Sequence, residues 1–124
     1  MPVATRHQQT PLELAPPTAG ETTSAILAYL TLQGFAVWRQ NNSGIYDPKT
    51  GRYRFNPQGR RGVPDIIGFR KRDGVFIGVE VKAGRDQLRP EQKQFLDELK
   101  AAGGLAFVAR SFAQFQQSFE GREM

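Results

Sequence analysis

The sequence predicts a mixed α/β domain, a β-sheet flanked by helices in the order α-β-β-β-α-β-α. Three observations carry that reading. An apolar run at helical spacing occupies residues 25–32, and two short apolar strands meet at Asp73-Gly74. A proline-opened helix over 90–102 is then followed by one more strand and a helix striped with phenylalanine.

Residues 1–20 precede the first of these elements. They hold Pro2, Pro11, Pro16 and Pro17 among small and polar residues, which reads as a flexible arm unable to bury a core of its own. His7, the only histidine, lies there and receives no role. The domain proper is expected over 21–124. Ala25, Ile26, Leu27, Tyr29, Leu30 and Leu32 form the stripe of its first helix, with Thr22 and Thr23 available as caps and Gly34 as the stop. Phe35 to Gln40 reads as a strand. Residues 41–64, rich in glycine and proline, read as a long loop or irregular hairpin. Asp65 to Arg70 and Val75 to Lys82 form a hairpin through Asp73-Gly74. Pro90 opens the next helix, Gly103-Gly104 ends it, Leu105 to Ala109 is the last strand, and Ser111 caps a helix carrying Phe112, Phe115 and Phe119. That spacing is ordinary core spacing, with some apolar surface near the terminus left for contact with a second copy.

Composition narrows the partners. The 124 residues suit one domain. Seventeen Lys and Arg against 12 Asp and Glu give a formal charge of +5 and a pI near 10.0, which favours nucleic acid. No apolar run approaches the roughly 18 residues of a spanning helix, and the N-terminus lacks a signal-peptide pattern. Without cysteine there is no disulfide and no thiolate metal site. The expected location is intracellular, with no membrane partner.

The charged residues of the hairpin are the informative ones. Side chains alternate along a strand, so Glu80 and Lys82 share one face. A two-residue turn at Asp73-Gly74 places Asp65 opposite Lys82, a four-residue turn places it opposite Glu80, and a three-residue turn sends it to the other face. In either even case two carboxylates and an ammonium converge. One reading is a solvated cross-strand ion pair. The other is a metal site, and it is favoured because Ile66, Ile67, Phe69, Ile77 and Val79 suggest burial on both faces. Two buried carboxylates side by side require a cation or a proton. Hard Mg²⁺, with its preference for oxygen ligands and retained water, suits two carboxylates and a carbonyl. Lys82 then balances the acids, orients an attacking water or stabilises charge on a phosphate. Gln92 lies three, four and seven residues before Phe95, Leu96 and Leu99, so it points with the apolar stripe toward the sheet and requires partners there. Glu21 at the start of the first helix suits the helix dipole on capping grounds alone.

Residues 49–72 contain Lys49, Arg52, Arg54, Arg60, Arg61, Arg70, Lys71 and Arg72 with Asp65 as their single acid. Tyr46, Tyr53 and Phe55 are interleaved among or beside them. Cations for phosphates next to rings for bases suit a nucleic-acid surface that reads backbone and shape.

Gly62-x-Pro64-Asp65, fourteen residues, then Glu80-Val81-Lys82 resembles the PD-(D/E)XK nuclease superfamily. With Glu21 opening a helix, Asn41-Asn42-Ser43-Gly44 after the first strand, and Gln92 in the following helix, the chain looks like the VRR-NUC family, especially its small stand-alone phage- and bacterium-type members. The resemblance runs from about Glu21 to Ser111. It implies a restriction-endonuclease-like mixed sheet, with Asp65 and Glu80 as metal-binding carboxylates and the Val81 carbonyl as a further ligand. It makes Lys82 the catalytic lysine and Glu21 and Gln92 accessory site residues. Asn42 and Ser43 join Arg52, Arg54, Arg60 and Arg61 as candidates for nucleic-acid contact. Small members resemble archaeal Holliday junction resolvases and can act as dimers on branched DNA. The expectation is therefore a Mg²⁺- or Mn²⁺-dependent DNA endonuclease, selective for branched DNA such as Holliday junctions and homodimeric, serving repair or recombination. Its rivals are a sequence-specific restriction-type endonuclease and a non-catalytic nucleic-acid-binding module.

Overall fold

A computed structural model describes residues 15–40, 45–54 and 57–123. Helix α1 (Ala19–Leu32) begins at Thr18, whose hydroxyl accepts the Glu21 N–H while the Glu21 carboxylate accepts the Thr18 N–H, a reciprocal capping box. The caps expected at Thr22 and Thr23 are displaced by this pair. Both threonines fall inside the helix and are buried there, with the Thr23 hydroxyl bonded back to the Ala19 carbonyl.

Gly34, at φ 90°, turns the chain into β1 (Phe35–Arg39). The glycine- and proline-rich stretch that follows contains a small separate hairpin, β2 (Ile45–Asp47) paired antiparallel with β3 (Arg52–Arg54). Tyr46 and Tyr53 face each other across it, ring centroids 5.3 Å apart. The main sheet adds β4 (Ile66–Arg70), β5 (Phe76–Val81) and β6 (Leu105–Ala109) in the order β1-β4-β5-β6. The first three strands run antiparallel, whereas β6 runs parallel to β5, and the crossover between those two is α2 (Pro90–Ala101). The closing helix is α3 (Phe112–Glu123). The result is the anticipated mixed sheet flanked by helices.

Helices α1 and α3 cover one face. Ile26 and Leu30 of α1 meet Ile66, Ile77, Val79 and Phe107 of the sheet and Phe115 and Phe119 of α3. Phe115 is fully buried and meets Phe107 edge-on at 5.3 Å. Its truncation to alanine would cost about 3–5 kcal/mol. Phe119 is also buried and Phe112 packs partly buried against the same cluster, so the α3 stripe is core and leaves little surface for a second copy.

Helix α2 covers the other face only over β5 and β6, through Leu96, Leu99 and Ala106. Gly78 makes this close approach possible, because a Cβ there would stand 3.0 Å from Pro64 and 3.1 Å from Leu99. Among the described residues no helix lies over the β1–β4 half of that face. Trp38 and Phe69 are accordingly 46% and 41% exposed, which corrects the expectation that the hairpin is buried on both faces.

Candidate active site

The β4–β5 turn decides which carboxylates meet. The Arg70 N–H bonds the Val75 carbonyl, and the Gly74 N–H returns to the Arg70 carbonyl, enclosing a four-residue loop of 71–74. Arg70 also holds Asp73 through a forked pair of hydrogen bonds from Nε and Nη2. The register that follows pairs Ile66 with Val79, so Asp65, one residue before β4, falls opposite Glu80. Asp65 is fixed from both sides. Its carbonyl accepts the Gln40 N–H at 2.7 Å and its carboxylate Oδ2 accepts the Val81 N–H at 2.8 Å.

Glu80 is the buried member of the pair. It is 3% exposed, and its Oε2 has no hydrogen-bond partner among the described residues. Burial first, then the hydrogen bond and the charge of Asp65, push its carboxyl up to about 8, against the weaker pull of Lys82 and Arg89. The other oxygen, Oε1, lies 3.4 Å from the Gln92 Nε2. Gln92 is half-buried in the first turn of α2 and accepts the Arg89 N–H at 2.9 Å, so its amide group faces the acid pair as its spacing suggested.

A buried carboxylate oxygen without a donor, beside a second carboxylate, has the chemistry of an incomplete cation shell. Among the described residues no third Asp, Glu, His or Cys joins these two, so a cation held here would complete its shell with carbonyl oxygen and water.

Lys82 continues the face that carries Glu80. It is 8% exposed and has no hydrogen-bond or ion-pair partner among the described residues. It lines a cavity of about 160 Å³ at the end of β5, together with residues from the start of α1 and the β6–α3 junction. Glu21 is exposed at the start of α1, its carboxyl held below the usual range by the Thr18 backbone and side-chain hydrogen bonds. Its observed partners are those of a helix cap.

The basic residues fall into two settings. Arg52 and Arg54 are exposed on the same side of β3. Arg60 pairs with Glu98 and lies 4.6 Å over the Phe95 ring, so part of its capacity is already engaged by α2. Arg61 is exposed next to it. Asn42 and Ser43 lie outside the described residues, as does His7.

Two residues emerge that the spacing argument passed over. Arg89 brings positive charge toward Glu80. Gly62, at φ 79°, presses its backbone against α2 so closely that a Cβ would lie 2.1 Å from the Glu91 carbonyl oxygen. The glycine preceding Pro64-Asp65 was the available signal, but its contact lies 29 residues on, beyond the reach of local pattern.

A search of curated proteins returns no match. The family model for the VRR-NUC domain matches residues 48–113, more than half of the chain and the span that contains Asp65, Glu80, Lys82 and Gln92. The resemblance read from the motif and the mixed sheet built around it thus agree with an independent comparison, and the chain belongs to the VRR-NUC family of nuclease domains.

Proposed function

We infer that the chain is a Mg²⁺- or Mn²⁺-dependent endonuclease that hydrolyses phosphodiester bonds in branched DNA, with its site at Asp65, Glu80 and Lys82. The observation that carries this reading is the Glu80 carboxylate, buried against Asp65 with one oxygen lacking a donor among the described residues.

Asp65 and Glu80, with the Val81 carbonyl, would hold the cation. When bound, the cation supplies Lewis acidity that neutralises a phosphate and acidifies water. Asp65 is kept in position by the Val81 N–H, and Glu80 is steadied by Gln92, so neither acid needs to reorganise before reaction. Lys82 brings a buried ammonium to the same face, where it orients the attacking water and opposes the charge growing on the phosphate. Glu21 is the accessory acid of this reading, at the end of α1 that borders the Lys82 cavity. Arg52, Arg54, Arg60 and Arg61, with Asn42 and Ser43, would hold the DNA backbone.

The active species in this reading is a symmetric dimer on a twofold substrate. Its apolar contact is better supplied by Trp38 and Phe69 on the uncovered half of the sheet, with the exposed Phe76 of β5, than by the buried α3 rings. The test of the whole reading is a panel of labelled linear, flap, fork and four-way DNA, with and without Mg²⁺ or Mn²⁺. Metal-dependent cutting that favours the branched members is expected. Preference for linear duplex, or cutting unaffected by chelation, would overturn it.

A further inference from the structure

The cavity beside Lys82 has the composition of an anion site. Two helices begin at its wall: α1 with Ala19, and α3 directly after Ser111. Both are long enough, at 14 and 12 residues, to present a developed positive end. None of the described lining residues is acidic. Two acids adjoin lining residues in sequence: Glu21, whose carboxylate accepts the Thr18 N–H, and Glu80, which is buried against Asp65.

Two further side chains show that the cavity is more than a pair of helix ends. Thr22 is 7% exposed and Lys82 is 8% exposed, both line the cavity, and neither side chain has a hydrogen-bond or ion-pair partner among the described residues. Among the described residues the buried side-chain atoms without a partner include neither the Lys82 ammonium nor the Thr22 hydroxyl, so both remain open to whatever occupies the cavity. Arg110 completes the lining. One of its guanidinium N–H groups bonds the Asp86 carbonyl, which fixes the side chain and leaves its other donors for a ligand.

We propose that this cavity is a phosphate subsite, formed by Thr22, Lys82, Arg110 and the N-termini of α1 and α3, that grips a substrate phosphate next to the bond being cut. The proposal rests on the nuclease reading for the identity of the ligand, and on the cavity alone for its chemistry. A tetrahedral phosphate is smaller than the roughly 160 Å³ available and would take charge-assisted bonds from Arg110 and Lys82 and a neutral one from Thr22. Because Lys82 also borders the acid pair, a phosphate held here fixes the register of the strand relative to Asp65 and Glu80. The same chemistry fits an internal phosphodiester and a terminal phosphate of a nicked or flapped strand.

The experiment uses the full chain without divalent metal, so that binding is measured apart from cleavage. Inorganic phosphate is titrated at constant ionic strength while backbone amide resonances are followed. Saturable shifts at Ala19, Thr22 and Ser111 are expected, with affinity at least fivefold weaker in Thr22→Val and in Arg110→Gln. Oligonucleotides then carry either one neutral methylphosphonate beside the cut position or a 5′-hydroxyl in place of a 5′-phosphate. Whichever change weakens wild-type binding, but not that of Arg110→Gln, identifies the source of the phosphate. Absence of saturable shifts at those three amides in the wild-type chain overturns the proposal whatever the variants do. A chain that binds phosphate here yet cuts no DNA with any metal would instead overturn the nuclease reading and leave the subsite standing.

Discussion

The Val81 backbone N–H donates to Asp65 Oδ2 at 2.8 Å, so the acid that precedes β4 is tied to the strand that carries Glu80. With Asp65 held there, Glu80 faces both burial and a neighbouring carboxylate, and its carboxyl stands at about 8 rather than at its usual 4.5. The stabilisation linked to a raised carboxyl is present below the unfolded value and is lost as pH rises through the folded one. The metal-free protein should therefore lose thermal stability steadily between pH 5 and 8, and Glu80→Gln should flatten that slope. A cation held by the pair must displace the Glu80 proton, so binding near pH 7 should release close to one proton. Calorimetry in buffers of different ionisation enthalpy reads this directly, and a buffer-independent heat would refute it.

Gly62→Ala should be strongly damaging. Its new Cβ would fall 2.1 Å from the Glu91 carbonyl oxygen at a φ of 79°. Left-handed strain plus the displacement of α2 should cost about 2–4 kcal/mol. Gly74→Ala provides the control, since it has the same φ of 79° with nothing within 4 Å, and should cost only about 1–2 kcal/mol. Urea unfolding measures both. Because Glu91 adjoins Gln92, turnover under conditions where both variants are folded should fall for Gly62→Ala and hold for Gly74→Ala.

The basic surface should divide as its contacts do. Arg52→Ala and Arg54→Ala should each weaken DNA binding for every sequence and lower the salt slope by about 0.9 per lost phosphate contact. Arg60→Ala should do less, because Arg60 is already shared with Glu98 and Phe95. Glu98→Gln, which releases it, should tighten binding at low salt. Equal slopes in all of these variants would mean that the stretch is only a solvated face.

Dimer formation should depend on the sheet rather than on α3. Light scattering should give twice the 13.9 kDa chain mass, and Phe69→Lys should lower it toward the monomer, since Phe69 is 41% exposed on the uncovered half of the sheet. An unchanged mass would remove this surface from the interface.

Much of this was legible in the residues because the deciding signals are local. Alternation put Glu80 and Lys82 on one face, and any even turn put Asp65 with them. The choice of turn was not legible, because it depends on Arg70 folding back onto Asp73 and Gly74, which two-residue turn signals do not encode. The Thr18-x-x-Glu21 capping box was present in the sequence, its cap residue four and five residues upstream of Thr22 and Thr23. The exposure of Phe69 was hidden for a different reason. Periodicity shows which residues share a face, whereas only the path of α2 determines how much of that face is covered. The Lys82 cavity draws on the starts of α1 and α3 and the end of β5, and nothing in a one-dimensional pattern brings those three together.

The central claim is that Asp65 and Glu80 jointly hold the cation that makes this domain a nuclease. Single-turnover cleavage of four-way DNA in saturating Mg²⁺ or Mn²⁺, measured for wild type, Asp65→Asn and Glu80→Gln alongside DNA affinity, tests it most directly. The account predicts that each variant loses cleavage while binding DNA as well as wild type or better, since Asp65→Asn removes negative charge facing the phosphates and Glu80→Gln replaces a carboxyl that is already mostly protonated near pH 7 without the cation. Either variant cutting at the wild-type rate would contradict it.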